Sequence, residues 1–78
     1  SLHDKIITEI VKKIEGKYEI SQLDGIKISI DDNTWSLIRK SNTEDIIRIS
    51  TESNDRELLV NIQKKMIKMV ENCYEEIK

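Results

Sequence analysis

The chain has 78 residues, of which 36% are charged and 37% hydrophobic, and its formal net charge is −2 at pH 7. This length predicts a single small domain, residues 1–78, near the lower limit for a self-sufficient core. The slightly acidic balance argues against a nucleic-acid partner, and no apolar run is long enough to cross a membrane. The only cysteine, Cys73, excludes an internal disulfide and fits a reducing, cytoplasmic location. A start without Met suggests excision from a longer polypeptide.

An amphipathic helix is predicted first, because apolar residues recur at helical spacing from Leu2 to Ile14. Gly16 follows and predicts the end of this helix, since glycine readily adopts a positive φ at a helix C-terminus. His3 lies in the first helical turn with no second histidine or cysteine nearby. A surface position is therefore favoured over a metal ligand.

Two strands joined by a tight turn are predicted next. Residues 18–22 alternate in polarity, and residues 26–30 place three isoleucines on one face of a strand. Asp24 and Gly25 between them predict a hairpin, because both residues tolerate positive φ. Residues 31–33 are two aspartates and an asparagine, which we interpret as a turn, since the spacing of a calcium-binding loop is missing.

Another pair of strands flanks a polar loop. The third and fourth predicted strands are residues 34–39 and 46–51. Alternation places Arg39 at the end of one strand and Arg48 just inside the next, so the two guanidinium groups can converge on one anion. An alternative is that Arg48 pairs in solvent with Glu44 or Glu52, which contributes little.

The chain is predicted to end in a second amphipathic helix that runs from Leu58 to Ile77. Asn54 before it resembles an N-cap, with Glu57 reaching back to close a capping box. Two helices and a four-stranded meander cannot bury their apolar faces separately. The predicted fold is therefore α+β, a two-layer sandwich in which both helices cover one face of a four-stranded antiparallel sheet.

The loop between the third and fourth strands carries groups that suit a tetrahedral dianion. Arg39 supplies a planar fork of donors, while Ser41 and Thr43 supply hydroxyls. Asn42 tolerates a left-handed conformation, which lets successive backbone N–H groups turn inward and form an anion-binding nest. The competing interpretation is an ordinary hairpin loop whose polar side chains satisfy their own backbone.

Residues 35–48 (WSLIRKSNTEDIIR) resemble the phosphate-binding loop of the α-D-phosphohexomutases, which lies in their C-terminal domain. That family includes phosphomannomutase, phosphoglucomutase and phosphoglucosamine mutase. Its pattern is an aromatic-led strand ending in Arg, followed by a small or basic residue, Ser, Asn or Gly, Thr, Glu and Pro, with an Arg on the next strand. The turn at Asp24 and Gly25 and the order of elements also match, so the resemblance covers nearly all of the chain. Asp45 stands where the family usually has Pro.

The resemblance implies a TATA-binding-protein-like fold and the C-terminal domain of a larger, multidomain mutase. Such a domain grips the non-reacting phosphate of a hexose phosphate during phosphoryl transfer between the 1 and 6 positions, and phosphomannomutase or phosphoglucomutase is the preferred member. By position, the phosphate would be held by Arg39, Ser41, Asn42 and Thr43, with support from Arg48. The family's phosphoserine, its Mg²⁺ and its sugar-reading residues belong to other domains.

This chain carries no catalytic or metal-binding motif of its own, so we expect the isolated domain to be inactive. The implied partners are a hexose phosphate and the preceding domains of the same polypeptide, without nucleic acid or membrane. The alternative is a free-standing protein-interaction module with no role in sugar phosphates. An RNA-binding sheet is disfavoured, because only three aromatic residues are available for stacking. The choice between mannose, glucose and glucosamine phosphates is left open.

Overall fold

Six elements follow one another along the chain in the predicted order. A computed structural model describes residues 2–22, 25–41 and 46–77. The elements are α1 (Leu2–Ile14), β1 (Glu19–Ser21), β2 (Ile26–Asp31), β3 (Thr34–Lys40), β4 (Ile47–Glu52) and α2 (Arg56–Ile77). The predicted α+β sandwich is confirmed, and the boundaries of its elements differ from the predicted ones by only one or two residues.

The two helix termini test the predicted capping signals. Gly16 has a φ of +86°, and the Lys17 N–H donates to the Ile14 carbonyl over 2.9 Å, which confirms the predicted end of α1. At the start of α2 the predicted cap was wrong. The Leu58 N–H donates to Asp55 Oδ1 at 3.2 Å, so Asp55 rather than Asn54 is the N-cap. The N-cap lies one residue later than predicted, which leaves Glu57 too early to close a capping box.

The strands form an antiparallel meander in the order β1-β2-β3-β4. β1 and β2 form the predicted hairpin, in which Ser21 is paired with Lys27. A two-residue turn at residues 24 and 25 would pair Ser21 with Ile28 instead, so the register differs by one residue from the predicted one. Asp24 lies outside the described residues. At the other end of β2 the Asn33 N–H donates to Asp31 Oδ1 at 2.8 Å, which confirms the interpretation of residues 31–33 as a turn. The register shifts between Ser29 and Asp31, so β2 bends at that end.

One hydrophobic core lies between the helices and one face of the sheet. Its members are isoleucines of α1, β2 and β3 together with residues of α2: Ile6, Ile10, Ile14, Ile26, Ile28, Ile38, Ile62, Met66 and Cys73. Because α1 and α2 both contribute to this cluster, they cover the same face, and the opposite face of the sheet carries no helix. Within the described parts of the chain, no helix is long and apolar enough to cross a membrane.

The inward face of β3 is more polar than its neighbours. Thr34 and Ser36 are buried beside Ile38, and Ser36 Oγ lies 2.8 Å from Thr51 Oγ1 of β4. Thr51 in turn donates to the side chain of Gln63, whose amide nitrogen donates to the Ile49 carbonyl at 3.3 Å. A buried hydroxyl is costly unless it finds a partner. This hydrogen-bonded network provides the partners and attaches α2 to β4.

Cys73 belongs to the core rather than to a reactive site. Its side chain is fully buried, and this burial raises the pKa of the thiol. A raised pKa keeps the sulfur protonated at neutral pH, and the neutral thiol is the unreactive form. The structure thus agrees with the interpretation of Cys73 as an apolar core residue.

We expect neighbouring residues of β3 to differ sharply in their contribution to stability. Ile38 is fully buried, so Ile38→Ala should lower the free energy of unfolding by about 2–5 kcal/mol through lost burial and a residual cavity. Leu37 lies half-buried on the opposite face, and Leu37→Ala should cost roughly 1 kcal/mol. Urea denaturation followed by circular dichroism measures both. Ile38→Val, which should cost about 0.5–1.5 kcal/mol, covers the case in which Ile38→Ala does not fold. Equal losses for Ile38→Ala and Leu37→Ala would contradict the assigned faces, as would an Ile38→Val variant of unchanged stability.

Candidate anion-binding site

Two arginines lie directly opposite each other on the face of the sheet that the helices leave open. Arg39 near the end of β3 is in register with Arg48 of β4. Directly opposed residues in an antiparallel pair have Cα atoms about 4.5–5.5 Å apart, and their side chains leave the same face. Both arginines are exposed. The pairing therefore concentrates two positive charges at one end of the sheet.

Such an arrangement is unfavourable for the isolated sheet. Like charges placed directly across two strands destabilise the pairing by a few tenths of a kcal/mol, up to about 1 kcal/mol. Glu52, one of the partners that the sequence offered for Arg48, lies four residues further along β4, with about 13 Å between the two Cα atoms. The other alternative partner, Glu44, lies outside the described residues. A dianion held between the two guanidinium groups would turn the repulsion into attraction.

The polar loop begins where this strand pair ends. The Ser41 N–H donates to the Ile46 carbonyl at 3.0 Å, which closes the hairpin around residues 42–45. The amide of Ser41 is thus committed to the hairpin, and an anion would meet its hydroxyl instead. Asn42 and Thr43, which the sequence also places at the phosphate, lie outside the described residues, as does Asp45. Their part in the site stays a prediction.

Lys40 faces the opposite side from the two arginines. Its Nζ donates to Asp4 Oδ1 at 2.8 Å, and both side chains are about half exposed. Lys40 thus links the end of β3 to the first turn of α1. An ion pair this exposed contributes little to stability. Lys40 is therefore a nearby cation that does not share the face of Arg39 and Arg48.

A third cation of the open face escaped the sequence analysis. Lys27 of β2 is opposite Leu37, so it lies diagonally from Arg39 on the same face. Its ammonium group sits 4.9 Å from the centre of the Trp35 ring, a favourable cation–π contact. Strand alternation alone could have placed Lys27 on this face. Its position relative to Arg39 depends on the register between β2 and β3, which no local pattern contains.

A large cavity lies on the helix side of the sheet, away from the arginines. It is an open groove of about 630 Å³ that runs between the start of α1, the second half of α2 and the start of β4. His3, Ile46 and Tyr74 line it, which places His3 at the surface as predicted. No arginine lines the groove, so its chemistry differs from that of the open face.

Metal ligands are not gathered anywhere in the described parts of the chain. Within residues 2–22, 25–41 and 46–77, no three histidine, cysteine, aspartate or glutamate side chains come together in a way that could hold an ion. The residues present do not fit the Mg²⁺ that the resemblance implies for the complete enzyme. The polar groups gathered at the end of the strand pair are guanidinium and hydroxyl groups, which suit an anion rather than a metal ion.

Comparison with known proteins identifies the family of this domain. Residues 3–69 match the family model for the C-terminal domain of phosphoglucomutase and phosphomannomutase. The chain therefore belongs to the phosphohexomutase family and forms the C-terminal domain found in its members. Membership of this family replaces the alternative of an unrelated interaction module.

Individual relatives carry several substrate names. The phosphoglucosamine/phosphogalactosamine mutase of Sulfurisphaera tokodaii is 41% identical over 71 residues, which are 85% of this chain and 15% of that protein. The phosphoglucomutase/phosphomannomutase of Thermococcus kodakarensis is 39% identical over 69 residues, 87% of this chain and 15% of the relative. A probable phosphoglucosamine mutase of Methanopyrus kandleri is 29% identical over 80 residues, 96% of this chain and 18% of the relative. The chain thus spans less than a fifth of these proteins.

Inorganic phosphate should bind weakly to this domain, at the end of the sheet that carries the two arginines. A few charge-assisted hydrogen bonds of about 1.5–3 kcal/mol each must offset about 4–15 kcal/mol of lost ligand motion. We therefore expect millimolar binding at best, on the order of −4 kcal/mol. Backbone amide NMR during a phosphate titration at constant ionic strength measures it. The largest shifts should fall on Arg39, Ser41 and Arg48, and the turn at residues 31–33 should stay still.

A matched pair of variants tests whether phosphate binds on the open face of the sheet or on the helix face. Arg48→Ala and Lys40→Ala each remove one positive charge, but only Arg48 lies on the open face. Arg48→Ala should weaken phosphate binding about tenfold or more, the value of one charge-assisted bond, and Lys40→Ala should weaken it much less. Shifts centred on residues 31–33, or equal losses in the two variants, would contradict the site.

Proposed function

We propose that this domain holds the phosphate of a hexose phosphate that does not react, while a phosphoryl group is transferred between the 1 and 6 positions. The observation that supports this role best is the opposition of Arg39 and Arg48 on the open face of the sheet, beside the polar loop. Membership of the phosphohexomutase family makes a sugar phosphate the natural ligand for such a pair.

The proposed contacts follow from the chemistry of each group. Arg39 and Arg48 present planar forks that fit phosphate oxygens in pairs. Ser41 contributes a hydroxyl at the point where the strand pair ends, and Asn42 and Thr43 complete the contacts as the family resemblance implies. Together these groups can donate to all of the terminal oxygens of a phosphate dianion.

A site that reads only phosphate suits an enzyme whose intermediate must turn around. The proposed bisphosphate intermediate presents first one phosphate and then the other to the reacting centre. The domain must therefore accept either end of the sugar, and contacts limited to phosphate oxygens are the same in both orientations. Holding the remote phosphate also aligns the reacting end, so its binding energy contributes to the rate of transfer.

The remaining parts of the reaction are assigned to other segments of a longer polypeptide. Because the chain spans less than a fifth of its relatives, we propose that preceding domains supply the nucleophile, the Mg²⁺ ligands and the sugar-reading residues. Those domains would be its macromolecular partners. A free thiol at Cys73 fits the proposed cytoplasmic location.

The names of the relatives refine the proposed substrate. The Sulfurisphaera tokodaii and Methanopyrus kandleri proteins are named for glucosamine phosphates, and the Thermococcus kodakarensis protein for glucose and mannose phosphates. The sequence-based preference for phosphomannomutase or phosphoglucomutase therefore has the weaker support. We propose glucosamine phosphate as the substrate to assay first. The proposed contacts of this chain are with phosphate alone, so the sugar is chosen elsewhere.

Replacing Arg39 in the intact mutase should damage catalysis although this residue never touches the transferred group. Arg39→Ala removes a charged, two-point contact, so kcat/KM should fall by roughly 2–4 kcal/mol, about 30- to 1000-fold. Arg39→Lys should recover part of this loss, because a point charge lacks the planar fork. Steady-state kinetics with matched melting curves measures the effect. Near wild-type kcat/KM at an unchanged Tm would contradict the proposed role.

The isolated domain should show no mutase activity, whereas the intact protein should show it with one sugar class preferred. Purified domain and intact protein are assayed side by side with the 1-phosphates of glucosamine, glucose and mannose. Turnover by the isolated domain, from a host that lacks its own mutase, would show that the nucleophile lies within these 78 residues. A preference of the intact protein for mannose or glucose phosphate would contradict the glucosamine proposal and support phosphomannomutase or phosphoglucomutase, the members that the sequence favoured.

A further inference from the structure

We infer that Gly25 is a positioning residue for Arg39, an inference that rests on the phosphate-holding role proposed above. Gly25 precedes β2, whose first residue Ile26 is in register with Ile38. Gly25 is therefore level with Arg39. It lies just before β2, which pairs with β3 along the edge opposite β4. Arg39 thus stands between Gly25 on one side and Arg48 on the other.

The contact between the two backbones leaves no room for a side chain at residue 25. A Cβ built on Gly25 would lie 2.5 Å from the Ile38 carbonyl oxygen, 2.6 Å from the Arg39 Cβ and 3.1 Å from the Arg39 Cα. The three atoms nearest to the added Cβ thus belong to residues at the end of β3, and none of them is the far end of a flexible side chain. Any Cβ at residue 25 must therefore displace the strand end itself.

The required displacement is large enough to matter for a two-point contact. The Arg39 Cβ would have to withdraw by roughly half an ångström to reach the closest separation that real Cβ atoms show. That movement shifts the origin of the Arg39 side chain relative to Arg48 on the opposite strand. Because a guanidinium fork must meet two oxygens in line, a shift of this size changes how well the pair fits one phosphate.

Gly16 offers a matched control within the same chain. The φ values of Gly16 and Gly25 are nearly equal, +86° and +82°. A Cβ on Gly16 would meet no atom within 4 Å. Substitution at Gly16 therefore introduces the backbone strain of a positive φ without the collision. Any effect found at Gly25 but not at Gly16 comes from the contact with the end of β3.

The test compares Gly25→Ala with Gly16→Ala in the 78-residue chain, using inorganic phosphate as the probe. Gly16→Ala should lower Tm by several degrees, about 4–8 °C, because alanine is strained at positive φ, and Gly25→Ala should lower it further because the collision is added. Only Gly25→Ala should raise the Kd for phosphate, by about threefold to tenfold, because only it misplaces the Arg39 fork. Gly25→Asn and Gly16→Asn repeat the comparison with a residue that tolerates positive φ, which guards against loss of folding in the alanine variants.

Amide resonances recorded without phosphate give a readout that does not depend on binding. Those of Arg39 and Arg48 should move in both Gly25 variants and stay in place in both Gly16 variants. An unchanged Kd in Gly25→Asn, alongside normal phosphate shifts in the wild type, would overturn the positioning role and leave the proposed function intact. Absence of phosphate shifts at Arg39 and Arg48 in the wild type would overturn the proposed function, and this inference with it. Equal losses of binding at Gly16 and Gly25 would also overturn the inference, since strain alone would then explain them.

Discussion

The alternation of side chains along β3 is the constraint on which both the core and the candidate site depend. Ile38 points inward and is fully buried, and the next residue, Arg39, points outward to the open face. A slip of one residue against β4 would exchange the two, bury a guanidinium and expose an isoleucine. The hydrophobic contribution of Ile38 therefore fixes the direction of Arg39. Stability and ligand binding are set by adjacent residues of one strand.

The opposition of Arg39 and Arg48 illustrates how a functional site departs from the rules that stabilise a sheet. Cross-strand pairs normally combine apolar groups or opposite charges, and two arginines directly opposite each other repel. The fold tolerates this cost because the core, on the other face, determines the register. A dianion held between the two guanidinium groups would be attracted by both of them. A surface that contacts only phosphate would accept either end of a hexose bisphosphate.

The sequence predicted most of the fold because its signals were local and mutually consistent. Helical spacing in α1 and α2, alternation in the strands and glycine after α1 each pointed to the same α+β arrangement. The start of α2 was misplaced because Asn54 and Asp55 are both good N-caps, and their order along the chain does not say which one caps the helix. In the folded chain the Leu58 N–H donates to Asp55, while Gln63 holds the helix against β4 through the Ile49 carbonyl.

The sequence by itself determined that two arginines and a hydroxyl-rich loop lie at the end of a strand pair, because period-two alternation and turn-forming residues are local properties. Tertiary structure decided which of these groups meet. The register of β3 with β4 placed Arg39 opposite Arg48, and the packing of α1 drew Lys40 to Asp4. Gly25 contacts the end of β3 because it leads into β2, the strand that pairs with β3 on the side opposite β4. Such contacts join residues that are far apart along the chain. Burial of the core brings the strands and helices together and thereby decides these contacts, so local sequence patterns cannot encode them.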